Sequence, residues 1–290
     1  MNSQPTHSIL KTLVLTALAL IAFAANSVLC RMALGEQHID AASFSVIRLL
    51  SGAVILMLIL SLKNRARSAA CGNWLSASML FLYAIAFSYA YLSLQTGTGA
   101  LILFASVQIT MILFSLFSGN RLHASEWLGV VIAFAGFVYL VLPGVSAPSL
   151  QGFVLMTIAG IAWGVYSLRG RSSQSPLADT AFNFLRTLPF AALVLVFTVS
   201  NAHMDSQGIL LAMLSGAVAS GIGYSIWYAA LGGLSTTQAA VVQLSVPVIA
   251  ALGGVVLVSE PITLRLVVSS VLILGGILLV VMGRRYLARA

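Results

Sequence analysis

The sequence predicts an all-α integral membrane protein, with ten transmembrane helices arranged as two inverted five-helix repeats around a central cavity. Three observations carry that prediction. The 290 residues are 60% hydrophobic and 7% charged, with a mean hydropathy of +1.06. A soluble domain of this length could not cover its surface with so few charges. The apolar residues fall into ten runs, each close to the roughly 20 residues a helix needs to cross a bilayer. The second half also repeats the first. Phe44–Arg48 (FSVIR) matches Phe182–Arg186 (FNFLR), and Arg31 matches Arg169, both at an offset of 138. Tyr89–Leu92 matches Tyr228–Leu231 at 139, and Ala135-Gly136 matches Gly275-Gly276 at 140. An odd number of spans per copy turns the second copy upside down in the membrane.

Taken in order, the runs are 9–31, 41–62, 74–94, 98–118, 125–142, 151–168, 178–200, 207–231, 235–258 and 263–283. The first carries Lys11 at its start and mimics a leader peptide. Its length and its match to the internal sixth run make it a span. The second holds Arg48, eight residues past Asp40, and ends in the basic Lys63–Asn73 loop. The third places Tyr83, Phe87 and Tyr91 on one helical face at four-residue spacing. A short Thr96–Gly99 turn leads to the fourth, which carries Gln108. After the fifth comes Leu142–Ser149 (LPGVSAPS), an uncharged run of turn formers. The repeats are therefore 1–145 and 146–290, within one membrane domain. In the sixth, Gly160 and Gly164 lie four apart, and in the eighth Gly216, Ser220 and Gly223 share a face. Such rows let helices approach closely in lipid. The seventh holds Arg186, seven residues past Asp179; the ninth holds Gln243 and Pro247 one turn apart; the tenth holds Gly275-Gly276.

The net charge of +8 is distributed in a way that argues against nucleic acid. With a cytoplasmic N-terminus, the inner connections and tails carry Lys11, Lys63, Arg65, Arg67, Arg121, Arg169, Arg171, Arg284, Arg285 and Arg289. The outer ones carry only Arg31 and Arg265, while Arg48 and Arg186 lie inside spans. This bias places both termini in the cytoplasm. Cys30 and Cys71 fall on opposite sides of the membrane, which excludes a disulfide. The four histidines are in tails or loops, no metal-ligand spacing exists, and no nucleophile, base and acid converge. No cofactor, metal or enzyme activity is expected.

The second half carries Leu244–Leu252 (LSVPVIAAL), then Ser259-Glu260-Pro261-Ile262-Thr263, then Gly275-Gly276-Ile277. That order is a proline inside the ninth span, a glutamate in the next turn and a glycine pair in the tenth. With Ala162-Trp163-Gly164, Arg169 and Arg186, it resembles the EamA-type members of the drug/metabolite transporter superfamily. Within them it most resembles the bacterial amino-acid exporters, including those for aromatic amino acids. The likeness covers the whole chain and implies the ten-span, two-repeat plan and a place in the inner membrane of a bacterium. The first half departs from the pattern: Gln108 stands in place of Pro247 and Asn120 in place of Glu260.

None of the six carboxylates falls at the middle of a span. A proton relay or a cationic drug would need one there, which favours a neutral or zwitterionic substrate moved by facilitated diffusion. Asn26, Gln108 and Gln243 should face the interior, because an unpartnered amide is costly in lipid. With Tyr83, Phe87 and Trp163 they are the expected substrate-binding residues. Arg48, Arg186, Pro247 and Glu260 are expected to be structural or gating. Each arginine lies within snorkelling range and either ties to loop carbonyls and the nearby acid or meets a substrate carboxylate. Glu260 is expected to cap or brace the turn into the tenth span. Tyr91, Trp227 and Tyr228 read equally as interface anchors or cavity lining. The expected function is export of small metabolites, amino acids including aromatic ones, by alternating access. The alternatives are a proton-coupled exporter of drugs or other metabolites, and a membrane scaffold without transport. The expected partners are a small-molecule substrate and the lipid bilayer, and a monomer suffices.

Overall fold

The computed structural model describes residues 9–62, 72–119, 123–144, 147–171, 173–234 and 236–287. Its first half consists of α1 (Ile9–Gly35), α2 (Ala41–Leu62), α3 (Trp74–Tyr91), α4 (Thr96–Phe117) and α5 (Ala124–Val141). The second consists of α6 (Leu150–Gly170), α7 (Pro176–Thr198), α8 (Ser206–Leu231), α9a (Thr236–Gln243) with α9b (Val246–Val258), and α10 (Leu264–Leu287). Nine of these spans are long and apolar enough to cross a membrane, and the apolar part of α5, Glu126–Val141, is shorter. The Lys63–Cys71 stretch, Asn120 and the 145–146 repeat boundary lie outside the described residues.

Helix starts are set by polar residues that accept the free N–H groups of the first turn. Asp40 takes the Ser43 N–H at 2.9 Å for α2, Asn73 that of Ser76 at 2.8 Å for α3, and Asp205 that of Gly208 at 2.7 Å for α8. Thr263 caps α10 through the Leu266 N–H. Large apolar side chains such as Phe117, Phe134, Phe197 and Val256 remain exposed around the outside, where lipid would cover them.

The two halves interlock. α6 packs between α3 and α4 of the first half, α1 packs between α8 and α9b of the second, α2 lies on α7, and α5 lies on α10. Glycines allow these approaches. A Cβ at Gly160 would stand 2.5 Å from the Ser106 Cβ on α4, and one at Gly129 would stand 2.5 Å from the Gly276 carbonyl on α10. At Gly216 it would collide with the Arg48 carbonyl on α2.

Two spans depart from a plain helix. α8 changes to π-helical winding over Leu214–Ile222, which the sequence reading did not anticipate. α9 breaks at Leu244-Ser245, one turn from Pro247. The proline offers no N–H to the Gln243 carbonyl and its ring crowds that turn. The N–H groups of Leu244 and Ser245 reach back to Val241 and Val242 instead, both at 3.1 Å. α4, with Gln108 at the matching place, stays unbroken.

Candidate functional site

A cavity of about 1100 Å3 runs into the bundle. Its mouth is framed by Gly72, Asn73, Arg169, Ser173 and Asp179, from the α2–α3 and α6–α7 connections and the adjoining helix ends. Seven spans line it, while α2, α5 and α10 stand behind. Gly72 is required at the mouth: its φ is +78°, and its N–H donates to the Asp179 carboxylate at 2.7 Å.

The interior is aromatic. Trp163 is stacked between Tyr166 (centroids 5.2 Å, planes 24° apart) and Tyr224 (5.3 Å, 20°). Tyr83 joins at 4.9 Å from Trp163, and Phe87 continues the row 5.4 Å from Tyr83. The polar groups are few and connected. Asn26 Nδ2 donates to the Tyr83 hydroxyl at 3.2 Å, and Ser215, in the π segment, donates to Asn26 Oδ1 at 2.6 Å. The Tyr166 hydroxyl donates to Thr180 at 3.2 Å, and Thr180 shares a 2.6 Å hydrogen bond with the Tyr228 hydroxyl.

The opposite end is sealed by ties between the repeats. Arg31 on α1 donates to Glu260 at 2.9 Å and to the Tyr91 carbonyl at 3.1 Å. The other Glu260 oxygen takes the Thr96 N–H at 2.8 Å, capping α4. Glu260 therefore does not brace its own turn, which Thr263 caps; it reaches across to the first repeat. Nearby, the α1–α2 and α7–α8 connections form an antiparallel bridge at Ile39 and Met204. His38 sits between Asp205 at 2.7 Å and Glu36 at 3.0 Å. Its hydrogen bond to Asp205, and then that to Glu36, raise its pKa above the usual imidazole value. The Gly208 N–H, and then His38, hold the Asp205 carboxyl below the usual range.

Asn26, Tyr83, Phe87, Trp163 and Gln243 all lie on the cavity wall. Gln108 is buried on α4 but is not part of it; Phe104 and Met111, on the same helix, are. Trp227 and Tyr228 face the cavity, and Tyr91 is fully buried beneath the α4 N-terminus rather than at a lipid interface. Pro247 is buried in the first turn of α9b. Arg186 is half-buried and bonds its own helix through the Phe182 carbonyl at 3.3 Å. Arg48 does not snorkel: it is 2% exposed, and its Nη2 donates to the Tyr83 hydroxyl at 2.9 Å. Asp40, its expected partner, is engaged as a cap and by the His203 N–H. The sequence reading missed Thr180 and Asn183. With Thr187 they form a polar stripe at 180, 183 and 187 along α7, and that spacing is a usable signal.

A family model, the EamA-like transporter family, matches this chain twice, over residues 10–142 and 150–282. The chain belongs to that family. It is similar to an uncharacterized protein of Pseudomonas aeruginosa, 51% identical over 274 residues that cover 94% of this chain and 96% of the relative. It is 27% identical over 205 residues to an Escherichia coli protein named "Probable amino-acid metabolite efflux pump", covering 66% of this chain and 69% of that one. A solved crystal structure shares the fold with a TM-score of 0.66 at 18% identity, over 93% of this chain and 98% of that chain.

Proposed function

We propose that this EamA-family protein exports small zwitterionic or neutral metabolites, amino acids including aromatic ones, across the inner membrane of a bacterium by alternating access and facilitated diffusion. The observation that carries this reading is the cavity itself. It is open at one face, closed at the other by ties between the repeats, and lined by stacked aromatic rings with a few bonded polar groups. All six carboxylates stand at helix ends or in connections, and none at mid-span. A cavity of this size with a polar mouth also speaks against a scaffold, which would need no such space. The bias of basic residues supports a cytoplasmic mouth and cytoplasmic termini, so the state described faces inward. The interlocked halves leave the cavity complete in one chain, which supports a monomer. The E. coli relative's name supports amino acids as cargo.

Purified protein in liposomes, given labelled phenylalanine and a panel of other amino acids, tests the reading. Uptake down the substrate gradient with no pH difference is expected. No uptake above empty liposomes for any of them would refute amino-acid transport, and strict dependence on a proton gradient would refute facilitated diffusion.

A further inference from the structure

Arg48, two turns into α2, carries a charge that no carboxylate neutralises among the described residues. Arg48 forms no ion pair among the described residues, and its Nη1 has no hydrogen-bond partner. Its guanidinium lies against two rings of the cavity wall, 5.1 Å from the Tyr83 centroid and 4.8 Å from that of Phe87. An isolated buried cation is strongly unfavourable unless an anion approaches it.

Tyr83 connects this charge to the cavity. Its hydroxyl oxygen accepts two N–H groups, from Arg48 Nη2 at 2.9 Å and from Asn26 Nδ2 at 3.2 Å. The Asn26 orientation is fixed because its Oδ1 accepts from Ser215 at 2.6 Å. With both acceptor positions used, the Tyr83 hydroxyl is left with its proton to give. Tyr83 lines the cavity, and no described group takes that proton. A hydroxyl polarised by an arginine behind it is a strong donor to an anionic oxygen.

We propose that Tyr83, backed by Arg48 and held by Asn26, is the carboxylate-binding group of this cavity, and that the ligand is an aromatic carboxylate. Its carboxylate accepts the Tyr83 proton, and its ring extends the Tyr166–Trp163–Tyr224 stack. Arg48 stands behind the wall and is a positioning residue that acts through the tyrosine. The inference rests on the cavity being the substrate path and narrows the substrate to molecules that bear a carboxylate.

The test is a binding measurement on the purified full-length protein, by calorimetry and thermal shift. The probes are phenylalanine, 3-phenylpropionate, phenylalaninamide and phenethylamine. The first two, which carry the carboxylate, should bind and raise Tm; the last two should bind at least tenfold more weakly. Tyr83→Phe keeps the ring and removes only the proton, so it should weaken the two carboxylates by about ten- to a hundredfold and erase the preference over the amide. Arg48→Met should erase the same preference; if it does not fold, Tyr83→Phe alone decides. Equal binding of phenylalanine and phenylalaninamide, no binding of either carboxylate, an unchanged preference in Tyr83→Phe, or equal stabilisation by chloride would each overturn the proposal. Binding of the carboxylates without amino-acid transport in liposomes would refute the transport reading and leave this one standing. Transport of phenylalanine and its amide alike would do the reverse.

Discussion

At the sealed end, Arg31 holds the Glu260 carboxylate at 2.9 Å and the Tyr91 carbonyl at 3.1 Å. At the open end, its repeat counterpart Arg169 reaches, among the described residues, the neutral Ser76 and Asn73, both at 3.3 Å, and lines the mouth. The same contrast separates Arg48, sealed behind Tyr83, from Arg186, half-buried against its own helix. Two copies of one plan thus sit in opposite electrostatic surroundings. Part of the difference is written in the sequence, which has Glu260 in one copy and Asn120 in the other. The sealed end is the one with the charged latch.

The largest expected effect comes from wedging the packed side apart. Gly216 lies against the Arg48 carbonyl and the Ser51 hydroxyl, in the π segment that presses on α2. Gly216→Val should destabilise the protein by about 3 kcal/mol or more and leave little monodisperse protein in detergent. Gly275 has nothing within 4 Å of a Cβ, so Gly275→Ala should be neutral or stabilising by up to about 1 kcal/mol. A wild-type Tm for Gly216→Val would mean that α2 and α8 are not packed as described.

Next is the latch. Cys30 is buried on α1 near the sealed end and is a natural reporter in a chain carrying Cys71→Ser. Glu260→Gln removes two charge-assisted hydrogen bonds, each worth about 1.5–3 kcal/mol when intact. Labelling of Cys30 by a water-soluble thiol reagent should rise about tenfold or more. Arg169→Gln, at the open end, should leave labelling unchanged. Equal labelling in both variants would remove the asymmetry between the two ends.

The third effect compares spans four and nine. Gln243 is on the wall beside the break in α9, while Gln108 is buried in the unbroken α4. Gln243→Ala should lower transport per folded molecule, whereas Gln108→Ala should lower abundance instead. Trp163→Ala removes the centre of the stack and should cut transport about three- to tenfold, given the typical worth of an aromatic pair. Transport unchanged in both Trp163→Ala and Gln243→Ala would remove those residues from the substrate path.

The ten-helix plan was legible because bilayer thickness and backbone satisfaction leave few alternatives to an apolar helix of known length. The break near Pro247 was legible for a local reason, the missing N–H. Asn26, Tyr83, Phe87, Trp163 and Gln243 stood out as polar or aromatic groups at depth. What sequence could not supply was direction around each helix. Gln108 and Gln243 are both mid-span amides, and only packing decides which one meets the cavity. Arg48 was misread because snorkelling distance along the chain says nothing about which neighbour covers the side chain. The π segment over Leu214–Ile222 carries only small-residue composition as a signal, and that composition also fits ordinary close packing.

The smallest effect separates the two ends by pH. At the sealed face, His38 bonds Asp205 and Glu36, and the neighbouring Asp40 and His203 tie the same two connections together. Because the sealed state raises the His38 pKa, protonation favours that state. This contribution is complete below the usual imidazole value of about 6.5 and is lost as pH climbs through the raised value. Asp205 acts with the opposite sign. Its pKa is lowered, so its share is present above the usual carboxylate value of about 3.9 and disappears as pH falls through the depressed one. Between those limits the latch is firmest, and alkaline pH loosens it. The ratio of Cys30 labelling in the native chain to that in His38→Gln cancels the reagent's own pH dependence. That ratio should rise toward one as pH climbs above about 6.5. Added salt should flatten the rise, since the groups are open to solvent and screened. A ratio independent of pH at low salt would mean that the histidine does not hold the sealed face closed, and would leave Arg31 and Glu260 as its charged latch.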